Sequence, residues 1–366
     1  MKFSISREAL LRLLQAVMGV VERRQTMPIL ANVLVIAHDE EIAITATDLE
    51  VELVARGSAE AIEANGEITV PGRKLLDICR ALPDTAKIKF ALDGDRLVIR
   101  SGRSRFVLST LPAADFPVIE EVQDSRDLRL SQTDVAMLLD KTHFAMAQQD
   151  VRYYLNGLLL ETGNNLVRAV ATDGHRLALS EIESGADQGG QQVIVPRKGV
   201  LELQRLLGNG DELDLSIGSN HIRARLGNIQ FTSKLIDGRF PDYERVIPVP
   251  NDNNRLRAGR EELRHALQRA SILANEKYRG IRLELTKQSL KIQANNPEQE
   301  EAEDEIEVEY TGDNIEIGFN VTYLLDALAA VDGDEVEIGF IDSNSSCLIY
   351  APGAAQSRYV VMPMRL

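Results

Sequence analysis

Few residues in this sequence have the type and spacing to do chemistry. Asp173 and His175 stand two apart in "VATDGHRLAL", a spacing at which a carboxylate could orient an imidazole as a general base. Such a pair needs a nucleophile or a metal to act on. The five histidines, His38, His143, His175, His221 and His265, show no ligand spacing, and Cys79 with Cys347 makes neither a metal set nor a disulfide framework. No glycine-rich loop runs into Lys-Ser or Lys-Thr, so a nucleotide-handling enzyme would lack its phosphate cradle. No catalytic residue, metal or cofactor is expected, and His175 reads as a structural residue or a pocket wall. What remains is charge. In "PEQEEAEDE", six of the eight residues from Glu298 to Glu305 are carboxylates, in a chain whose formal charge is −15. They repel one another unless something basic faces them.

The 366 residues, 44 % of them apolar, sustain two or three domains with real cores. No apolar run reaches the roughly 18 residues that span a bilayer, and the start lacks a basic head, apolar run and cleavage site in sequence. A cytoplasmic protein without a membrane role is expected. A balance of 41 basic against 56 acidic residues counts against nucleic acid unless the bases are clustered. With no Trp and 5 % aromatic residues, a stacking platform for single strands is not expected.

The elements that must carry these groups repeat. "AITATDLEVEL" (43–53) returns as "RAVATDGHRLAL" (168–179), and "ITVPGRKLLDICRAL" (68–82) as "VIVPRKGVLELQRLL" (193–207). Thr47-Asp48 and Thr172-Asp173 lie 125 apart, as do Pro71 and Pro196. A weaker third copy reads "LKIQANNPEQE" and "IGFNVTYLLDAL". Three units of about 120 residues follow, with joins near 117–128 and 245–256 and domains over 1–122, 128–247 and 253–366. Each unit is itself double. "KFSISREALLRLLQAV" is a short alternating strand, then Leu10, Leu13, Leu14 and Val17 at helical spacing. "EITVPGRKLLDICRAL" repeats that order, and further alternating runs follow each helix. The fold class is therefore α+β, six strand–helix–strands half-units whose helices each bury one face on antiparallel sheet. The period exceeds that of solenoids, so a closed ring is the better expectation.

Charge is distributed unevenly among the helical segments. Residues 6–24 carry four arginines against two glutamates; 72–82 and 196–207 each carry three bases against one acid; 257–279 carry six against three. The segments 131–152 and 320–330 are each acidic by one. Helices lining a basic hole, with acid on the outside, would hold phosphates without sequence preference and let the protein slide. A solvated helix face, or a protein-binding scaffold with no DNA role, is the competing reading.

"SGRSRFVLSTLPAADFP", "QDVRYYLNG", "FTSKLIDGRFPDY", "NNPEQEEAE" and the terminal "YVVMPMRL" resemble the β sliding clamp family of bacterial DNA polymerase III, along the whole chain. The resemblance implies the DNA-clamp fold in three domains. It further implies a head-to-tail homodimer closing six domains around duplex DNA, tethering polymerases without catalysis. The implied partners are a second copy, duplex DNA, the polymerase III α subunit, the clamp loader and other clamp-motif proteins.

A head-to-tail ring needs two different edges. "DRLVIRSGRSRFVLST" is a candidate basic edge, with Arg103 and Arg105 expected on one strand face and Phe106 and Leu108 on the other. By the resemblance this edge, with Lys74 and Arg96, meets Glu298, Glu300, Glu301, Glu303 and Asp304 of the neighbour. Ile272 falls nine positions after Leu263, on roughly the opposite helix side, and Ile272 with Leu273 is expected to pack on Phe106 and Leu108.

The resemblance also implies a peptide groove. Leu155, Thr172, Gly174, His175, Arg176, Leu177, Pro241 and Val246 would line one end. Arg152, Tyr153, Tyr154, Asn320, Tyr323, Ser346, Met362, Pro363, Met364 and Arg365 would form the rest. An apolar cleft of this kind anchors Leu and Phe side chains of a short motif, and methionines repack around several partners. Asn344 departs from the apolar residue common there. Arg24, Arg73, Gln149, Tyr153 and Tyr154 match family positions that touch duplex; Arg80, Arg197, Lys198 and Arg205 follow from the helix charges.

Overall fold

The computed structural model describes residues 1–21, 27–119, 125–184, 189–208, 212–249 and 253–365. Among them are six α-helices: α1 (Arg7–Val17), α2 (Gly72–Ala81), α3 (Gln132–Asp140), α4 (Arg197–Leu206), α5 (Arg260–Ser271) and α6 (Val321–Ala330). Each begins on the residue after a strand ends, the strand–helix order expected from the sequence. Polar residues at the strand ends make the switch: Ser6 Oγ accepts the Ala9 N–H at 3.2 Å, and Asn320 Oδ1 accepts that of Thr322 at 2.9 Å. Each satisfies a donor that the first helical turn leaves open.

Two compact units divide the chain, Met1–Val135 with Lys198–Leu235, and Ala136–Arg197 with Ile236–Leu366. The first holds a five-stranded sheet ordered Ala61–Ala64, Lys2–Ser6, Lys87–Asp93, Arg96–Ser101, Ser104–Ser109. Its eight-stranded sheet runs Arg126–Ser131, Glu212–Ile217, His221–Leu226, Ile229–Lys234, Val51–Ser58, Glu41–Thr47, Asn32–His38, Gly66–Pro71. Helices α1 and α2 pack together, burying Leu10, Leu13, Leu14 and Val17 from one and Leu75, Leu76 and Cys79 from the other. Phe3 and Phe90 stack beneath them at 4.6 Å.

The second unit has an eight-stranded sheet, Gln191–Pro196, Gly157–Gly163, Leu166–Thr172, Arg176–Glu183, Ala354–Val361, Cys347–Ala351, Glu335–Gly339, Arg255–Gly259. Its four-stranded sheet runs Glu301–Glu307, Ser289–Asn295, Gly280–Thr286, Ile315–Asn320. There α5 buries Leu263, Ala266, Leu267 and Ala270, and α6 buries Val321, Leu324, Ala327 and Leu328.

The large sheets cross the sequence repeats. Val51–Ser58 pairs antiparallel with Ile229–Lys234, and Arg176–Glu183 with Ala354–Val361. Alternation within a strand fixes which face is buried but leaves its neighbour open, so these pairings are not legible in the residues. The expected joins, and with them the edges of the domains expected over 1–122, 128–247 and 253–366, run into residues 120–124 and 250–252, outside the described residues.

Candidate functional site

Among the described residues, Ser104–Ser109 and Glu301–Glu307 each form an open sheet edge. Each pairs on one side only, presenting backbone donors and acceptors to a further strand. Period two sorts the acidic strand: Glu301, Glu303, Glu305 and Glu307 share one face, Ala302, Asp304 and Ile306 the other. Its own unit already engages several of these. Lys291 Nζ lies 2.9 Å from Glu303 and, with Gln293, holds that carboxyl below its usual range. Glu305 accepts from Ser289 at 2.6 Å and Glu300 from Asn296 at 2.7 Å. Asp304 departs from expectation: it lies on the α5 side, 2.6 Å from Arg269 Nε, away from the row of glutamates. Glu298 and Glu301 are exposed.

The basic edge is arranged differently. Arg105 is in register with Arg100, and Arg100 with Lys89, three exposed bases abreast with no carboxylate among them. Like charges directly opposite destabilise a sheet. Arg103 is not on the strand as expected; it occupies the turn beside Gly102, because Ser101 already pairs with Ser104. Arg96 lies 3.9 Å from its neighbour Asp95, and Lys74 is exposed on α2. Phe106 is half-buried, whereas Leu108 is only 9 % exposed and already covered by its own unit. Ile272, the residue closing α5, is 77 % exposed, and Leu273 is half-buried.

The helical bases separate into engaged and outward-facing. Arg205 donates to Ala16 O at 2.7 Å and Gln15 O at 3.3 Å, the last turn of α1. Arg7 donates to Cys79 O at 3.0 Å at the end of α2, and Arg260 to Val331 O at 2.9 Å beyond α6. Cations there satisfy carbonyls that the helix leaves open and complement its dipole. Lys198 pairs with Asp48, and Arg197 donates to Met146 O at 3.5 Å. The segment 257–279 is not one helix: Arg257 sits on a strand, while Lys277 and Arg279 lie past the end of α5. Arg73, with one bond to Val21 O at 3.0 Å, and Arg80 are exposed on α2; Arg24 lies outside the described residues. In the second unit Gln149 has φ +57° and precedes Val151, 96 % exposed, and Tyr153, 57 % exposed and edge-on to the half-buried Tyr154 at 5.8 Å.

The second unit brings several of the residues expected in a groove into contact, among them Arg152 with Asp173, Met362 with His175, and Arg176 with Tyr323. Asp173 Oδ1 accepts the N–H groups of His175 (2.9 Å) and Arg176 (3.0 Å), and its Oδ2 lies 3.1 Å from Arg176 Nε. Both oxygens are thus occupied and neither orients the exposed His175 imidazole, so the dyad geometry is absent. Thr172 Oγ1 donates to Arg176 O at 2.6 Å and accepts from Gly174 N at 3.1 Å. Gly174 has φ +89°, and a Cβ there would lie 2.8 Å from Arg152 Nη1. Arg152 crosses this turn to donate to Asp173 O at 3.1 Å, and its hydrogen bonds hold the Asp150 carboxyl at about 2. Leu155 and Leu177 are buried, Leu177 in register with Val360 and packed with Phe240, Tyr243 and Leu348. Pro241, Val246 and Met362 are exposed.

Two backbone bonds pin the tail: Met362 N to His175 O and Met364 N to Gly318 O, both 2.9 Å. Pro363 and Met364 are half-buried, Arg365 exposed. Arg176 serves as an internal brace, with its guanidinium carbon 4.6 Å from the Tyr323 ring and 5.5 Å from that of Phe144, and a bond to Phe144 O at 2.7 Å. Burial pushes the Tyr323 phenol up. Asn320 caps α6, Ser346 is half-buried before the strand at Cys347, and Asn344 is exposed, its N–H donating to Asp342 at 2.7 Å.

Sequence reasoning missed the groove's support. Arg168 donates to Tyr243 Oη at 2.7 Å and Glu181 at 2.9 Å, tying the segment that carries Pro241 and Val246 to the sheet. Burial and the bond to Glu161 push the Tyr243 phenol up to about 12. A lone arginine inside the apolar run "LVRAVAT" was the available signal, because a charge in such a strand must be paired. Val360 lies in the unbroken apolar run Tyr359–Met362, where no alternation tells which face it takes.

The comparisons with known proteins cover the same ground. Residues 1–120, 129–242 and 244–365 match the families described as the N-terminal, central and C-terminal domains of the DNA polymerase III beta subunit. A beta sliding clamp from Pseudomonas aeruginosa is 55 % identical, and one from Escherichia coli K12 52 % identical, each aligned over 100 % of both chains. A crystal structure of the DNA polymerase III subunit beta from Pseudomonas aeruginosa superposes with a TM-score of 0.97 at 54 % identity. A sliding clamp from the same organism, bound to griselimycin, superposes at 0.96 and 55 %; both structures cover 100 % of either chain.

Proposed function

Because the chain belongs to the DNA polymerase III beta subunit family, the beta sliding clamps, we propose that two copies close head to tail through the two open edges. It acts as a DNA sliding clamp and processivity factor built of three clamp domains, and it catalyses no reaction. The observation that carries the closure is the pairing of characters: a row of Lys89, Arg100 and Arg105 on one edge, of which Lys89 alone has a carboxylate, that of Glu63, acting on it, and a row of glutamates led by Glu301 on the other.

Exposed ion pairs contribute about 0–1 kcal/mol each and fade in salt, so they select the edge rather than hold it. Holding falls to apolar burial. Ile272 and Leu273 of one copy, set against Phe106 of the other, would contribute roughly 1.5–3 kcal/mol per side chain covered. In the closed ring Arg73, Arg80 and the exposed loop at Gln149 and Tyr153 would face duplex DNA, touching phosphates without reading bases. The polymerase III α subunit, the clamp loader and other motif-bearing proteins would seat an apolar segment in the groove of Leu155, Leu177 and Val360. The setting would be cytoplasmic; no helix among the described residues is long and apolar enough to cross a membrane.

Salt tests the DNA surface. Replacing Arg73 and Arg80 with serine should flatten log K against log salt by roughly 0.9 for each phosphate no longer neutralised, with dimerisation unchanged. An unaltered slope would remove α2 from the DNA surface.

A further inference from the structure

The frame that builds the groove occurs twice. In the first unit Asp48 Oδ1 accepts the N–H groups of Glu50 (2.9 Å) and Val51 (2.7 Å). Thr47 Oγ1 donates to Val51 O at 2.9 Å and accepts from Leu49 N at 3.1 Å. These are the bonds of Asp173 and Thr172, 125 residues earlier. The neighbouring strand repeats as well: Lys234 N donates to Glu50 O at 2.8 Å, as Met362 N donates to His175 O at 2.9 Å. "FPVI" at 116–119 stands where "FPDY" stands at 240–243, and Glu52 Oε2 accepts the Ile119 N–H at 3.0 Å to hold that wall.

Between these parts lies a cleft of about 230 Å³ lined by Leu49, Pro117, Val118, Ile119, His221 and Lys234, with Thr47. Its size suits one or two side chains rather than a drug-sized ligand. Three differences from the groove mark it as a site of its own. Leu49 takes the place of Gly174 and keeps φ +79°, a conformation that costs a leucine energy and that glycine would adopt freely. It remains 36 % exposed, and Val118 66 %. Met27, at the same offset of 125, replaces the Arg152 that crosses Gly174. Lys234 replaces Met362; it is exposed and forms no ion pair with the described residues, although the chain carries a charge of −15.

We propose that this cleft is a second docking site, taking a short linear peptide that places one large apolar side chain against Leu49 and Val118 and an adjacent carboxylate on Lys234. The charge selects the occupant: the groove's rim at this position is a methionine, whereas here an exposed cation stands beside apolar walls, so an acidic apolar segment fits and a basic one is repelled. The choice of a peptide rests on the reading of the second unit's groove as a peptide site.

Methyl-labelled full-length protein, titrated with acetyl-Ser-Leu-Phe-Asp-Gly-Ser-amide, tests it by NMR. The expected result is saturable movement of the Leu49, Val118 and Ile119 methyl signals. Lys234→Glu, or Asn in place of the peptide's Asp, should weaken that binding about tenfold. Leu155, Leu177 and Val360 report on the groove in the same sample and should respond equally in wild type and Lys234→Glu. Val118→Asp should abolish the response at Leu49 and Ile119 while leaving the groove signals. Cleft methyls that stay still through millimolar peptide, or that move identically in Lys234→Glu, would overturn the proposal. Silent groove reporters beside titrating cleft methyls would instead overturn the groove reading and leave this site standing.

Discussion

The two open edges are opposites in more than charge. The acidic strand is largely settled before any partner arrives: Lys291 lies against Glu303, Arg269 against Asp304, Ser289 against Glu305. The basic strand is less settled: Arg105, Arg100 and Lys89 stand abreast, and only Lys89, farthest from the open edge, has a carboxylate, that of Glu63, acting on it. Pairing therefore relieves the basic side more than the acidic side. A count of charges, 41 against 56 over the chain, would have placed the strain on the acid. Register and neighbours decide otherwise.

Removing the apolar part of the interface should have the largest effect. Ile272→Ala with Leu273→Ala should give folded monomers, with dimer affinity lowered by about 3 kcal/mol or more. Sedimentation equilibrium that still finds dimers at low micromolar protein would shift the weight of closure back to the charges.

Arg105→Glu sharpens the asymmetry because its two consequences have opposite signs. A glutamate opposite Arg100 should stabilise a monomeric background by about 0.2–1 kcal/mol for the new cross-strand pair, read as a higher melting temperature. The same change should weaken the dimer by a similar or larger amount. Loss of stability in the monomer would contradict the strained row.

Asp304→Asn and Glu301→Gln, on opposite faces of the same strand, should separate. The first loses the Arg269 pair and should lower unit stability by roughly 0.5–1 kcal/mol while scarcely touching assembly. The second should leave stability unchanged and weaken only the dimer, more at low salt. Equal effects would mean that the two strand faces are not distinct. Away from both edges, Gly174→Ala should displace Arg152 and lower peptide affinity several-fold without altering sedimentation. A change in oligomeric state there would break the assignment of assembly to the edges.

Much of this was legible in the residues. Helical spacing at Leu10, Leu13, Leu14 and Val17, and the 125-residue offset, pointed to six helices each following a strand. Strand neighbours were not legible, because alternation in "VELVARGS" says nothing about Ile229–Lys234. Not every base on a helix faces outward: Arg7, Arg205 and Arg260 cap the carbonyls of other helices, a long-range use that no local charge count reveals. The groove loop could be placed from "ATDGHRL", but its brace at Arg168 depends on Tyr243, seventy-five residues away. Arg103 sits in a turn and not on the strand, because Gly102 at φ +53° turns the chain and Ser101 pairs with Ser104, a reversal that alternation alone does not locate.

Encirclement is the claim that separates a clamp from a surface binder. The protein would be loaded on nicked circular DNA with its loader, the circle cut at one site, and retention followed by gel filtration in moderate salt. Retention on the circle and loss after cutting is predicted, because only topology holds a ring whose DNA contacts are few and electrostatic. Equal retention on circular and linear DNA would contradict it.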